Sequence, residues 1–176
     1  MSTWYLITHN LSLSQEIAYR IRALGADVFS PMKMTVTKRS DCNGTRNREC
    51  QLFPGYLFVK LDPEIVHTSA VLQIMGVIDF VRFGGVLATI SDALIDAIKI
   101  SFLIRTDKKA SEFEYRNVHP EILASLEAIT IIKSKLERQV AFFNLLQKEK
   151  HILSSGYSTS RLVSVIDRPF VNDLIP

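Results

Sequence analysis

The run Leu52-Phe53-Pro54-Gly55-Tyr56-Leu57-Phe58-Val59-Lys60-Leu61 decides how the chain folds. Phe53-Pro54-Gly55 is a turn signal, because proline fixes φ and glycine accepts backbone conformations other residues avoid. The aromatic and branched residues that follow have the composition of a strand. Upstream, Trp4-Tyr5-Leu6-Ile7 has the same character and ends in Thr8, His9 and Asn10. Between these two strands lies a helix. Ser12 with Gln15 resembles a capping box, Ile17, Ile21 and Leu24 recur at helical spacing, and Gly25 stands where a left-handed C-cap belongs. Residues Ala26 to Ser30 read as a second strand. Pro31 then punctuates the chain, and a basic polar stretch forms a long hairpin with Asn43-Gly44 near its tip.

Downstream of the same run, Val66, Ala70, Val71 and Ile74 predict a helix from Glu64 to Met75, ended by Gly76. Residues Val77 to Phe83 return to strand, Gly84-Gly85 is a turn, and Val86 to Ile90 is a short strand. Ser91 or Asp92 caps a helix through Ala93, Ile95, Ile98 and Phe102. The order is β-α-β-β-β-α-β with a closing helix. It predicts an α+β fold, with helices packed on a mainly antiparallel sheet.

Residues 105–117 are charged and lack sustained periodicity, which marks a linker between a domain at 1–104 and a second unit at 118–176. That second unit supports two readings. Leu136, Val140 and Phe143 follow helical spacing, and from Pro120 to Ser154 there is no glycine and no further proline, which predicts two helices. Yet Ile129 and Ile131, Val140-Ala141-Phe142-Phe143, Ile152-Leu153 and Leu162-Val163-Ser164-Val165-Ile166 read as short strands at the spacing of a small barrel.

The 176 residues, 47% of them hydrophobic, are enough for one good core or two modest ones. The net charge of +3 is less informative than its placement. Lys33, Lys38, Arg39, Arg46 and Arg48 face only Asp41 and Glu49, so the hairpin is locally positive, suited to a polyanion or simply to solvent. No apolar run approaches the roughly 18 residues of a membrane span, and the N-terminus lacks a basic-then-apolar leader. The expectation is a soluble cytoplasmic protein. Cys42 and Cys50 are placed to face each other across the hairpin, but without a second pair they define no zinc site, and incidental thiols are expected. Scattered histidines, no glycine-rich phosphate loop and no nucleophile motif predict neither enzyme activity, nor a metal, nor a cofactor.

Three separated blocks carry a resemblance: Trp4-Tyr5, Leu52 to Val59, and Gly76-Val77-Ile78-Asp79-Phe80-Val81-Arg82-Phe83-Gly84. Together they resemble the N-terminal (NGN) signature of the NusG/RfaH family of transcription elongation factors over about residues 3 to 100. Pro31-Met32, Asp62-Pro63-Glu64 and His67-Thr68-Ser69 resemble its specialised RfaH-like antiterminator branch. Residues 128–174 can be laid over the family's KOW-type C-terminal domain, although loop glycines are missing around Lys133 to Arg138.

The resemblance implies several partners and no catalysis. Pro54, Tyr56, Phe58 and Phe83 would grip the clamp helices of the largest RNA polymerase subunit, an apolar groove receiving helices. His67, Thr68 and Ser69 would contact the gate loop of the second-largest subunit, with Ala70 departing from the branch's threonine. Asn10, Arg20 and Gln73 would touch the exposed non-template DNA strand, and Lys38, Arg39, Arg46 and Arg48 would add phosphate attraction. The C-terminal domain would be a helical hairpin masking the polymerase site, with Leu136, Val140 and Phe143 on the docked face. Released, it would become a KOW-like β-barrel that meets a ribosomal small-subunit protein. The protein is expected to be a monomer. Two other functions are weighed: a general NusG-like factor coupling transcription to termination or translation, and a small-molecule regulatory domain with ligands at an interface between protomers.

Overall fold

The structure is a computed structural model describing residues 1–38, 43–106, 112–115, 119–154 and 161–164. In chain order its elements are β1 (Thr3–His9), α1 (Ser14–Ala23), β2 (Asp27–Phe29), β3 (Met32–Lys38), β4 (Thr45–Gln51), β5 (Tyr56–Leu61), α2 (Thr68–Leu72), β6 (Val77–Phe80), β7 (Arg82–Phe83), β8 (Val86–Leu87) and β9 (Thr89–Ile90). They continue with α3 (Asp92–Thr106), β10 (Glu112–Tyr115), α4 (Pro120–Ile131), α5 (Lys135–Ser154) and β11 (Arg161–Ser164). The chain divides into two compact units. One comprises Met1–Ser30 with Phe53–Asp92, the other Pro31–Leu52 with Ala93–Pro176. The fold class is α+β, as the alternation of strand and helix signals predicts.

The first unit is built on an antiparallel sheet in the order β2-β5-β1-β6, with β9 also pairing β1. Leu6 lies opposite Phe58 and Ile7 opposite Leu57, so alternation sends Tyr5, Ile7, Leu57, Val59 and Leu61 to one face. There they pack with Ile17 and Ile21 of α1, Val71 of α2, Ile74 and Phe80. The Tyr5 and Phe80 rings meet edge to face at 5.9 Å. Each large side chain removed from water there contributes roughly 1.5–3 kcal/mol. The other face carries Trp4, Leu6, Phe29 and Phe58, with the Phe58 ring 5.7 Å from Phe29 and 6.5 Å from Phe53.

Both ends of α1 show why sequence spacing reads one boundary better than the other. The helix follows a 3-10 turn at Leu11–Leu13 that is capped by Asn10, whose side chain accepts from the Ser12 N–H, and α1 itself starts after Leu13 with no side-chain cap of its own. Ser12 is therefore a donor to the cap, and the Ser12/Gln15 box expected from spacing is not what starts the helix. An asparagine closing a turn on the N–H two residues on outcompetes it. At the other end Gly25, at φ 87, donates to the Arg22 carbonyl at 2.9 Å, and Ala26 donates to Ile21 at 3.3 Å. This is a Schellman ending, as the glycine predicts.

In the second unit, β3 and β4 form a two-stranded ribbon. Its register sets Lys33 opposite Cys50. Cys42 lies outside the described residues. The stretch read as a linker is partly structured: α3 continues through Thr106, and β10 pairs antiparallel with β11, Phe113 opposite Val163. In the C-terminal segment the described residues include two helices, α4 and α5. His119 accepts from the Glu121 N–H and Pro120 occupies the first turn of α4, where its missing donor costs nothing. Three residues then reverse the chain into α5. Lys148 of α5 reaches back to Glu121 of α4 at 2.8 Å.

Within the α4–α5 pair, α5 buries a different stripe from Leu136, Val140 and Phe143, the residues expected on a docked face. Phe142, Leu145 and Leu146 are buried, while Leu136 is 74% and Val140 57% exposed. Phe143 is half-buried. In α5 apolar residues occur on more than one side of the helix, so spacing alone does not identify the side that is covered.

Candidate functional site

The aromatic residues of interest sit on or beside the central strands. Alternation along β5 puts Tyr56 and Phe58 on the same side, away from the core that holds Leu57 and Val59, with Tyr56 opposite Thr8 and Phe58 opposite Leu6. The Pro54-Gly55 turn that launches this strand is closed by Tyr56 N–H donating to Phe53 O at 3.1 Å. Gly55, at φ 85, accepts the His9 N–H at 2.9 Å. Phe58 is fully buried. Tyr56 and Pro54 are half-buried, and burial pushes the Tyr56 hydroxyl pKa up.

Phe83, also half-buried, lies on the β7–β8 hairpin opposite Val86. Gly84 and Gly85 form the tip, both at positive φ as a primed two-residue turn requires. The chain leading to Phe83 runs beside β1, where Val81 N–H donates to Leu6 O at 2.8 Å. The structure therefore places Tyr56 and Phe58 on a single face and brings the base of the Phe83 hairpin to the strand that pairs with them.

A second group surrounds α2. His67 caps the helix: its Nδ1 accepts from the Ser69 N–H at 3.3 Å and lies 2.7 Å from Ser69 Oγ. Accepting at Nδ1 leaves the proton of the neutral ring on Nε2, at an exposed position. The approach to His67 is a turn built on Asp62, whose carbonyl accepts from Ile65 at 2.9 Å and from Val66 at 2.8 Å. The N-terminal ammonium, 2.6 Å from Asp62 Oδ2, is the main cause holding the Asp62 carboxyl below the usual range, helped by the Glu64 N–H.

Asn10, Arg20 and Gln73 are all exposed. The Asn10 N–H donates to Gly76 O at 2.8 Å, joining the end of β1 to the turn that follows Gln73. Arg20 lies further along α1, its Nε paired with Glu16 Oε1 at 2.7 Å. On the ribbon, Arg46 stands opposite Thr37, Arg48 opposite Thr35 and Lys38 opposite Thr45. Arg39 lies outside the described residues.

One cluster escaped sequence reasoning. Asp92 Oδ1 accepts from Trp4 Nε1 at 2.9 Å and pairs with Lys60 Nζ at 2.7 Å, and that ammonium stands 5.7 Å from the Trp4 ring centroid. The only signal was Lys60 itself, a charge inside an otherwise apolar strand. Among the described residues no group of three or more His, Cys, Asp or Glu is arranged to hold a metal. No described helix is long and apolar enough to cross a membrane.

Comparison with known proteins places the chain as follows. The sequence model of a family described as "Transcription termination factor nusG" matches residues 2–99. A solved structure described as "Domain interaction in Thermotoga maritima NusG" aligns at 19% identity with a TM-score of 0.37, over 68% of this chain and 66% of that one. The aligned part is just under two thirds of that protein's chain.

Proposed function

The chain belongs to the NusG family of transcription factors, and from that premise we propose that it is an RfaH-like elongation and antitermination factor that holds the RNA polymerase clamp closed and reduces pausing. NusG-family proteins bind RNA polymerase. The observation that carries the finer reading is the shared face of Tyr56 and Phe58, with the Phe83 hairpin rooted on the adjoining strand. Apolar aromatic area on a rigid sheet suits the clamp helices of the largest subunit, because such anchors dominate helix-in-groove binding. His67, Thr68 and Ser69 contact the gate loop of the second-largest subunit. Bridging the two jaws is what opposes clamp opening.

Recruitment runs through the exposed non-template DNA strand at Asn10, Arg20 and Gln73, with the ribbon cations Lys38, Arg39, Arg46 and Arg48 adding salt-dependent phosphate attraction. The C-terminal hairpin masks the aromatic surface until recruitment, then refolds as a KOW-like barrel able to meet a ribosomal small-subunit protein. The protein acts in the cytoplasm, as a monomer and without catalysis.

The test is the double substitution Tyr56→Ala with Phe83→Ala, both half-buried and so tolerable to the fold. Loss of two aromatic anchors weakens binding to the clamp helices by at least about thirtyfold and abolishes the reduction in pausing. A folded double variant with unchanged affinity for the clamp helices removes this surface from the reading.

A further inference from the structure

The cap at Asn10 decides what that side chain has left to offer a nucleic acid. Asn10 Oδ1 accepts from the Ser12 backbone N–H at 3.1 Å and from Ser12 Oγ at 2.9 Å. A backbone N–H only donates, so the atom facing it must be the amide oxygen, and the orientation of the Asn10 amide follows from chemistry. The oxygen is engaged within the turn. The Asn10 backbone N–H is engaged as well, by Gly76 O at 2.8 Å. What remains at this exposed position is the Nδ2 amino group, which donates and cannot accept. Leu11, next in the chain, and Met75, which precedes the Gly76 bonded to Asn10, are 54% and 64% exposed and bring no side-chain hydrogen-bonding group of their own.

Resting on the reading of Asn10 as a contact to the exposed strand, we infer that Asn10 is a donor-only reader that selects a keto base, guanine or thymine, over an amino base. An unconstrained asparagine recognises adenine by accepting from the N6 amino group while donating to N7. Here the accepting half of that pair is consumed by Ser12. Guanine O6 and thymine O4 take the Nδ2 donor, whereas the amino groups of adenine and cytosine at the corresponding place meet donor against donor and leave both unsatisfied. Ser12 is the positioning residue: it sets the selectivity without touching the base.

The experiment measures recruitment of the full chain to paused transcription complexes in which each non-template position is varied through all four bases. It compares the wild type with Asn10→Ser. Serine retains the cap, because its hydroxyl also accepts from the N–H two residues on, and the backbone bond to Gly76 is untouched. It removes the amide donor, leaving a hydroxyl that sits one bond closer to the backbone and does not reach the base, and it adds no charge; unchanged thermal melting checks that the turn is intact. The expected result is one position where keto bases recruit the wild type roughly three- to tenfold better than amino bases, the size of one hydrogen bond. At that position Asn10→Ser recruits all four bases alike. A wild-type preference for adenine or cytosine at the position sensitive to Asn10, or the same base profile in both proteins, overturns the inference while leaving recruitment by the strand intact. Recruitment of the wild type that is independent of the non-template strand takes down the underlying reading as well.

Discussion

Gly76 shows how one residue can set the geometry of a site without contributing a functional group. It sits at φ 95, and a β-carbon there would come 2.8 Å from Leu13 Cδ1 and 3.0 Å from Ile17 Cδ1. Its carbonyl also receives the Asn10 N–H, so a shift here moves the candidate nucleic-acid contact as well as the α1 packing. Gly76→Ala is therefore expected to lose about 2–4 kcal/mol, from unfavourable backbone and overpacking together. Gly84→Ala is the control: it has φ 60 but open space around the added carbon, so only the backbone cost of about 1 kcal/mol remains. Chemical denaturation of the two variants checks this, and equal losses would show that the contact with Leu13 and Ile17 carries no weight. Gly25 was legible as a helix ending because the left-handed conformation is a local demand, whereas Gly76, expected to end a helix running to Met75, lies in a turn beyond α2, which stops at Leu72. The contact that makes Gly76 strict was not legible, since Leu13 and Ile17 reach it only in the folded unit.

At the scale of elements, the α4–α5 pair is joined by a charge contact whose pH dependence has a definite sign. The hydrogen bond from Lys148, and then its charge, hold the Glu121 carboxyl below the ordinary glutamate range. A carboxyl with a depressed folded-state pKa stabilises the fold above its unfolded value and loses that contribution as pH falls through the folded value. Helical melting of the wild type should therefore weaken as pH falls from about 5 to about 3, and Lys148→Met should flatten that limb. The pair is solvent-exposed, so its absolute contribution is small and salt reduces it. A Lys148→Met protein with an undiminished acid limb would assign the dependence to other carboxylates. The existence of both helices was readable from the absence of glycine and proline. The buried stripe was not, because α5 has apolar residues on several sides and only packing chooses among them.

For the whole molecule, the open question is which conformation the C-terminal segment adopts when it is separated from the rest of the chain. A pair of helices offers little core, so its helicity depends on what it packs against. The expected outcome is that residues 105–176 alone lose the helical chemical shifts of 119–154 and gain strand shifts, while the full chain keeps the helical ones. Nuclear magnetic resonance of both species decides this: a fragment that stays helical indicates a permanent helical lid and removes the refolding step. Strand shifts in the intact free chain would instead favour a general NusG-like factor. By itself the sequence determined where strand and helix alternate in the first hundred residues, though not that α2 spans only Thr68–Leu72, together with the glycine that ends α1, the local positive charge of the hairpin, and the eligibility of 118–154 for helix or strand. These are properties of neighbours along the chain, encoded in period and backbone preference. Only the tertiary structure decided the register of the β3–β4 ribbon, the Trp4–Asp92–Lys60 cluster, and the cap that leaves Asn10 a donor. The cluster depends on burial between residues far apart in sequence, which no local pattern records, and the register on which cross-strand pairs the two strands form. The cap is local, but two turn chemistries competed for the same few residues and the folded geometry selected one.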